Sequence, residues 1–356
     1  MMTLKDNAVK ASILYFVIHM LNEVVCYFMF YRIFEDPAFT ALAALIYNCI
    51  AFVPQLFWGS LRDLFVKFKP GILAVPLLLS GFLLFFISQD RGVIFWAALV
   101  ILSTGNALIH ISGAELTIRV SGGKLTPVAV FVSGGSFGVI TGQLLAATNI
   151  SFWWIAFICA LMFPLVLIGE KIYKDIPEEY DECKGFNYVK AGKSAAGAIF
   201  GVFFIVAVRS YISYGIPMTW KTTVFQSVLL FVFMGTGKAL GGILSDKIGI
   251  CKTAFISIIG ALPFLILGNK IMIISLIGIM FFSMTMAVTL GMIISVMKIA
   301  PGAAFGITTA ALFAGAAISW YLGSESFIVN VFVIILTSAI CFLIAMNILK
   351  PDKEAK

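Results

Sequence analysis

Long apolar runs separated by short polar segments extend along the whole chain. Twelve of these runs lie at about 10–31, 38–60, 71–89, 92–117, 125–148, 151–171, 195–218, 222–244, 252–269, 271–298, 303–323 and 326–348. A helix needs about 20 consecutive apolar residues to cross a bilayer, and lipid offers no hydrogen-bond partner to an unpaired backbone group. The alternating ten-residue pattern of a membrane β-barrel strand does not occur. The sequence therefore predicts an all-α membrane protein with twelve transmembrane helices.

One interval is too polar to cross a membrane and divides the chain in two. The stretch from Tyr173 to Ser194 carries four lysines and five acidic residues, while the connections between the other runs are short. We interpret this stretch as a cytosolic linker between two six-helix bundles. The predicted units are residues 1–172, 173–194 and 195–356.

Composition and charge agree with this topology. Hydrophobic residues make up 61% of the chain and charged residues 12%. In soluble domains, apolar residues make up about 45–50% and charged residues about 25%. With the amino terminus inside, the outer side holds only Arg32, Arg91, Lys221 and Lys270, and most other cations lie on the inner side. This bias predicts cytoplasmic termini in a cell membrane. It also accounts for the net charge of +7, so we predict no nucleic-acid partner.

Two short segments half a chain apart are alike. Gly59-Ser60-Leu61-Arg62-Asp63 follows the second run, and Gly242-Ile243-Leu244-Ser245-Asp246-Lys247-Ile248-Gly249 follows the eighth. Glycine lets helices approach closely, and a carboxylate is favourable at a helix amino terminus. We predict a cytoplasmic gate that latches this side shut; the alternative is ordinary polar loop residues. The predicted gate residues are Gly59, Asp63, Arg119, Gly242, Asp246, Lys247 and Gly249.

The segment from Gly242 to Gly249 resembles the cytoplasmic loop motif of the major facilitator superfamily, and the segment from Gly59 to Asp63 resembles its weaker partner. The first copy departs from the motif, because Leu64, Phe65 and Val66 replace the expected basic residue and glycine. The resemblance covers the whole chain. It implies a cavity between two pseudo-symmetric six-helix bundles that opens alternately to either side.

Further segments are similar to the fosmidomycin-resistance group of efflux carriers. They are His19 to Glu23, His110 to Glu115, Gly134 to Gly138 with Gly142, and Arg209-Ser210. Glu23, Ile111 and Gln143 depart from the aspartate and the two prolines that are usual in that group. The missing proline at Gln143 weakens the assignment as an antiporter.

Charged side chains inside the bilayer mark the candidate site, because they usually face a bundle interior or an aqueous cavity. His19 and Glu23 share one helical face, and Arg209 lies midway along the seventh run. Burial disfavours an ionised carboxyl group and a nearby cation favours it, so we predict that Glu23 couples transport to protons with His19. The predicted substrate-binding residues are Arg209, Asn22, Tyr15, Asn106, His110, Tyr211 and Tyr214. A static Glu23–Arg209 pair and a packing role for His110 are the alternatives.

The sequence favours a secondary transporter. We predict proton-coupled efflux of a small organic solute by a monomer embedded in the lipid bilayer. An uncoupled facilitator, an uptake symporter for an organic anion and a transporter-like sensor are the alternatives. No nucleotide-binding loop, metal-ligand spacing or set of catalytic residues is evident, and the six cysteines are scattered. We therefore predict no enzyme activity, no cofactor and no metal.

Overall fold

A computed structural model of the chain describes residues 4–33, 37–88, 92–174, 176, 183–215, 218–322 and 326–352. In these ranges twelve helices are long and apolar enough to cross a membrane, and we label them α1 to α12 in chain order. Their bounds are Leu4–Ile33, Phe39–Leu64, Pro70–Ile87, Val93–Arg119, Thr126–Ala146, Phe152–Lys174, Ala195–Gly215, Val224–Ile248, Ile250–Leu267, Met272–Val296, Pro301–Leu322 and Phe327–Ile348. The predicted number of spans is confirmed.

Several helices continue beyond their apolar runs. The helix α1 begins at Leu4 instead of about residue 10, and α8 continues to Ile248 instead of about residue 244. A polar sequence outside the hydrocarbon can remain helical, so the edge of an apolar run does not end a helix. Both gate segments consequently lie in the last turns of helices and not in loops. The helix α8 ends at Gly249, whose φ of 105° disfavours residues with a side chain.

Three spans depart from a regular α-helix, and a proline lies at two of these places. The span α2 falls within two helices, Pro37–Phe52, which begins two residues before the span, and Gln55–Leu64; they are separated at Val53 and Pro54. The span α9 contains a π-helical turn at Phe255–Gly260 just before Pro263. Proline lacks the N–H group that a regular helix requires, and the local geometry adjusts around it. The span α10 is interrupted at Met284 without a proline.

Helix packing divides the spans into two pseudo-symmetric six-helix bundles. The helix α1 packs on α5 and α6, and α3 packs on α4. The corresponding helices six spans later repeat this arrangement, with α7 on α11 and α12 and α9 on α10. Across the two halves, α2 packs on α11 and α5 packs on α8. Replacing each helix by its counterpart in the other half turns the contact between α2 and α11 into the contact between α8 and α5. The two halves are therefore related by pseudo-symmetry, and the predicted fold class is confirmed.

The described part of the predicted linker lies against the last residues of the chain. Val189 forms an isolated antiparallel bridge with Leu349, and the Tyr188 hydroxyl donates to the Gly123 carbonyl over 2.7 Å. The helix α6 continues to Lys174, two residues into the predicted linker. Residues 175 and 177–182 lie outside the described residues. The exact division of the chain into domains stays a prediction.

Candidate functional site

The first gate segment holds α2 against the amino terminus of α11. The Asp63 carboxylate accepts hydrogen bonds from the backbone N–H groups of Gly302 over 3.0 Å and Ala303 over 2.8 Å. Four residues earlier, a Cβ atom at Gly59 would overlap the Gly302 backbone. The aspartate therefore caps a helix from the other half, and the glycine allows the close approach that this capping requires.

The second gate segment repeats this geometry between α8 and α5. The Asp246 carboxylate accepts from the backbone N–H groups of Leu125 and Thr126, each over 2.9 Å, and from the Thr126 hydroxyl over 2.5 Å. A Cβ atom at Gly242, again four residues earlier, would lie 2.8 Å from the Leu125 carbonyl oxygen. Each half of the protein therefore contributes one aspartate and one capped helix.

Both contacts lie at the face of the protein where α1 begins and α12 ends, which we call the terminal face. The two pairs of hydrogen bonds tie the halves together there. Lys247 was predicted to belong to the gate, but its side chain is exposed and forms no hydrogen bond or ion pair among the described residues. The reason is its position one residue after Asp246, which turns it by about 100° around the helix.

A buried charge cluster supports the first gate segment and was largely missed by the sequence analysis. The Arg62 guanidinium donates to Glu115 over 2.6 Å and lies 4.1 Å from the centre of the Tyr173 ring. Glu115 also accepts from Arg119 over 3.0 Å and from the Tyr173 hydroxyl over 3.0 Å. Arg119, a predicted gate residue, lies 3.9 Å from the Asp63 carboxylate. The position of Arg62 beside Asp63 in the repeated segment was the signal available.

In the interior of the first half, α1 and α4 bring four of the predicted site residues together around Glu23. The Glu23 carboxylate accepts from the Asn22 amide over 3.1 Å and from the Asn106 amide over 3.0 Å. The Nε2 atoms of His19 and His110 lie 3.8 and 3.7 Å from the same carboxylate oxygen. All five side chains are buried. We call Glu23, His19 and His110 the acid–histidine cluster.

The three predicted tyrosines lie apart from this cluster. Tyr15 is 1% exposed, and its hydroxyl forms a 2.6 Å hydrogen bond with Ser112 in the core of the first half. The Tyr211 hydroxyl donates to the Leu322 carbonyl over 2.9 Å. Tyr214, five residues beyond Arg209 on α7, is 66% exposed. A substrate contact by these residues stays a prediction.

The second half contributes two cations to the interior of the membrane-spanning region. Arg209 on α7 is buried, and its Nε atom has no hydrogen-bond partner. Lys238 on α8 donates to the Ser136 hydroxyl on α5 over 2.9 Å. Lys238 was not assigned a role from the sequence, although a charge within an apolar span was a sufficient signal.

Among the described residues, this conformation does not contain the static Glu23–Arg209 pair that the sequence left as an alternative. No ion pair joins them in the described ranges, and Glu23 contacts Asn22, Asn106 and the two histidines of its own half instead. Asp246 is the sole acidic residue between positions 195 and 322, and it caps α5. Among the described residues, neither Arg209 nor Lys238 forms an ion pair with an acid of its own half.

Comparisons with solved structures identify the fold. The human organic anion transporter MFSD10 (TETRAN) gives a TM-score of 0.66 over 94% of this chain and 99% of that chain, at 12% sequence identity. FucP, a transporter of the major facilitator superfamily in an outward conformation, gives 0.67 over 95% of this chain and 97% of that chain, at 14% identity. This chain has the major facilitator fold. At such identities the likeness shows the fold alone.

One curated protein also matches by sequence. The fosmidomycin resistance protein of Escherichia coli strain K12 is 26% identical over 210 residues. The match covers 52% of this chain and 51% of that protein, so the chain matches about half of the relative's length. No protein-family model matches the chain. In the major facilitator fold described here, the acid–histidine cluster belongs to the first half and the two cations belong to the second.

Proposed function

We propose that this protein is a secondary transporter that moves a small organic anion across a cell membrane by alternating access. The observation that carries the proposal is the pair of interior cations, Arg209 and Lys238. Holding a charge within a bilayer is costly, and such groups usually have a partner. Neither forms an ion pair within the part of the chain that the structure describes, so an anionic solute is the partner that fits them best. The likeness to proteins named for fosmidomycin resistance and organic anion transport supports this choice.

The gate contacts support alternation between two states. Asp63 and Asp246 join the halves through four backbone hydrogen bonds at the terminal face. These bonds can break and reform as the halves rock without unfolding any helix. The terminal face is the cytoplasmic face in this proposal, because the cationic residues concentrate there.

Proton coupling is the finer part of the proposal. Glu23 lies well inside α1, is buried, and is held by neutral amides instead of a cation. A carboxyl group in such a place can alternate between protonated and ionised forms when its exposure changes. Proton entry coupled to solute exit corresponds to efflux by a monomer. An uncoupled facilitator is the competing function, and it needs no titrating group.

Fosmidomycin uptake into proteoliposomes under an imposed pH gradient tests the proposed function. We expect the purified protein to accumulate fosmidomycin above its equilibrium level. Equilibration without accumulation would favour a facilitator, and absence of any flux would contradict transport of this class of anion. A panel of organic cations serves as the comparison and is expected to show no flux.

Replacing either interior cation should weaken solute binding. A hydrogen bond to a charged group contributes about 1.5–3 kcal/mol, so Arg209→Gln and Lys238→Gln should each raise the half-saturating concentration of fosmidomycin by roughly 10- to 100-fold. Lys221→Gln removes an exposed lysine of the opposite face as a matched control and should leave that concentration unchanged. Equal kinetics in all three variants would contradict the assignment of Arg209 and Lys238 to the solute site.

A further inference from the structure

The acid–histidine cluster brings together three side-chain atoms of the kinds that ligate metal ions. The Nε2 atoms of His19 and His110 lie 3.8 and 3.7 Å from the Oε1 atom of Glu23. One ligand atom from each of the three residues lies within 4.8 Å of the other two. All three side chains are buried, at 3%, 7% and 6% exposure for His19, Glu23 and His110. Two helices, α1 and α4, supply them.

Hydrogen bonds fix which nitrogen of each ring faces the carboxylate. His19 Nδ1 lies 3.1 Å from the Phe131 carbonyl oxygen, and His110 Nδ1 lies 3.0 Å from the Asn106 carbonyl oxygen. A carbonyl oxygen accepts hydrogen bonds and never donates, so both Nδ1 atoms must carry hydrogen. In a neutral ring the Nε2 atom then presents a lone pair. Two lone pairs therefore converge on the Glu23 carboxylate.

The surroundings of the cluster also hold more acceptors than donors. The amide nitrogens of Asn22 and Asn106 donate to Glu23 and orient its carboxylate. The amide oxygens of these two asparagines are buried and have no hydrogen-bond partner. Asn22 is 0% exposed and Asn106 is 1% exposed. Buried acceptors without donors are costly, and these two belong to the residues that orient the Glu23 carboxylate.

The distances favour a metal ion over a shared proton. A separation of 3.7–3.8 Å between nitrogen and oxygen is too long for a direct hydrogen bond. Two ligands at about 2.0–2.2 Å from one zinc ion lie about 3.3–3.6 Å apart at a tetrahedral angle. Both nitrogen–oxygen separations exceed this range by a few tenths of an ångström, and the three ligand atoms lie within 4.8 Å of one another. A small movement of the side chains would therefore bring them to one ion. Ligating histidines also commonly donate their other N–H group to a backbone carbonyl, as both rings do here.

We propose that His19, Glu23 and His110 bind a divalent transition-metal ion of the zinc class. Two imidazoles and one carboxylate form a ligand set that such ions prefer, whereas magnesium and calcium prefer oxygen ligands. The ion would join α1 to α4 inside the first half. The sequence predicted no metal because the two histidines lie on different helices, far apart along the chain. Metal binding does not depend on the identity of any solute.

Direct titration of the full-length protein tests the site. The chain has two histidines, and both belong to the cluster, so the protein must be purified without a histidine tag. We expect calorimetric titration with zinc chloride in detergent to show one bound equivalent and thermal unfolding to shift upward with zinc. Cobalt(II) should give the visible absorption of a nitrogen- and oxygen-ligated ion, and magnesium should give no binding.

Variants decide whether this cluster holds the ion. His110→Gln and Glu23→Gln should each weaken zinc binding by about tenfold or more. Glu170→Gln removes a buried acid of α6 that lies outside the cluster and should bind zinc as the wild type does. His19→Gln provides a second histidine variant if His110→Gln unfolds in the absence of metal. Lack of stoichiometric binding by the wild type, or unchanged affinity in the cluster variants, would overturn the proposal. Zinc and a proton compete for the Glu23 carboxylate, so zinc affinity should fall as the pH is lowered. The titration contains no solute, so its outcome is separate from the test of fosmidomycin transport.

Discussion

A Gly59→Leu substitution is expected to abolish transport by preventing closure of the terminal face. Even a Cβ atom at this position would overlap the backbone of Gly302. Overpacking costs about 1–3 kcal/mol, and separating the helices also removes the two hydrogen bonds to Asp63, each of which contributes about 1.5–3 kcal/mol. The combined loss should lower the population of the closed state by roughly a hundredfold or more.

The initial rate of fosmidomycin flux in proteoliposomes measures this effect. Gly59→Leu should reduce the rate to that of empty liposomes, and Gly59→Ala should give an intermediate rate. Gly197→Leu is the matched control, because the nearest atom to an added Cβ there is 3.7 Å away. Transport by Gly59→Leu at the wild-type rate would mean that the contact between α2 and α11 does not open and close during the cycle.

Glu23→Gln is expected to remove all accumulation of solute driven by a pH gradient. Glutamine preserves the size and hydrogen-bonding shape of a protonated carboxyl group but cannot exchange a proton. The buried carboxyl therefore becomes permanently neutral, and the coupling between proton and solute is lost. Accumulation ratios in proteoliposomes should fall to one, whereas exchange of labelled for unlabelled fosmidomycin should persist.

A control variant and two alternative outcomes make the test of Glu23 specific. Glu170→Gln also neutralises a buried acid of the first half, but it should retain accumulation, since Glu170 lies outside the acid–histidine cluster. Accumulation that persists in Glu23→Gln would assign coupling to another group or support an uncoupled facilitator. Loss of both accumulation and exchange would instead indicate a structural role for Glu23.

The number of spans and the two-bundle architecture could be predicted because lipid imposes strong rules on sequence. Long apolar runs identify helices whatever their neighbours are, and the repeated segments at Gly59 and Gly242 indicate duplication. The helix ends were less predictable. Ser245 to Ile248 are polar or lie beyond the apolar run, yet they remain helical because nothing outside the hydrocarbon ends the helix before Gly249.

The partners of the site residues could be predicted only within one helix. The spacing of His19 and Glu23 places them on one face of α1, and the structure brings them together. The contacts of Glu23 with Asn106 and His110 depend on how α1 packs against α4, which spacing along the chain does not encode. The same reason explains why the alternative of a Glu23–Arg209 pair could not be decided from the sequence. Opposite charges suggested an ion pair, but neutral amides from the same half satisfy the carboxylate.

The distance between the two halves at the terminal face, measured as a function of pH, tests the central claim that proton binding at Glu23 controls alternating access. Spin labels at Lys67, after α2, and Ile299, before α11, report this distance from exposed positions in a cysteine-free background. We predict that the balance between a short and a long distance population changes with pH in the wild type, and that this balance is independent of pH in Glu23→Gln. A single distance population that is independent of pH in the wild type would contradict the account.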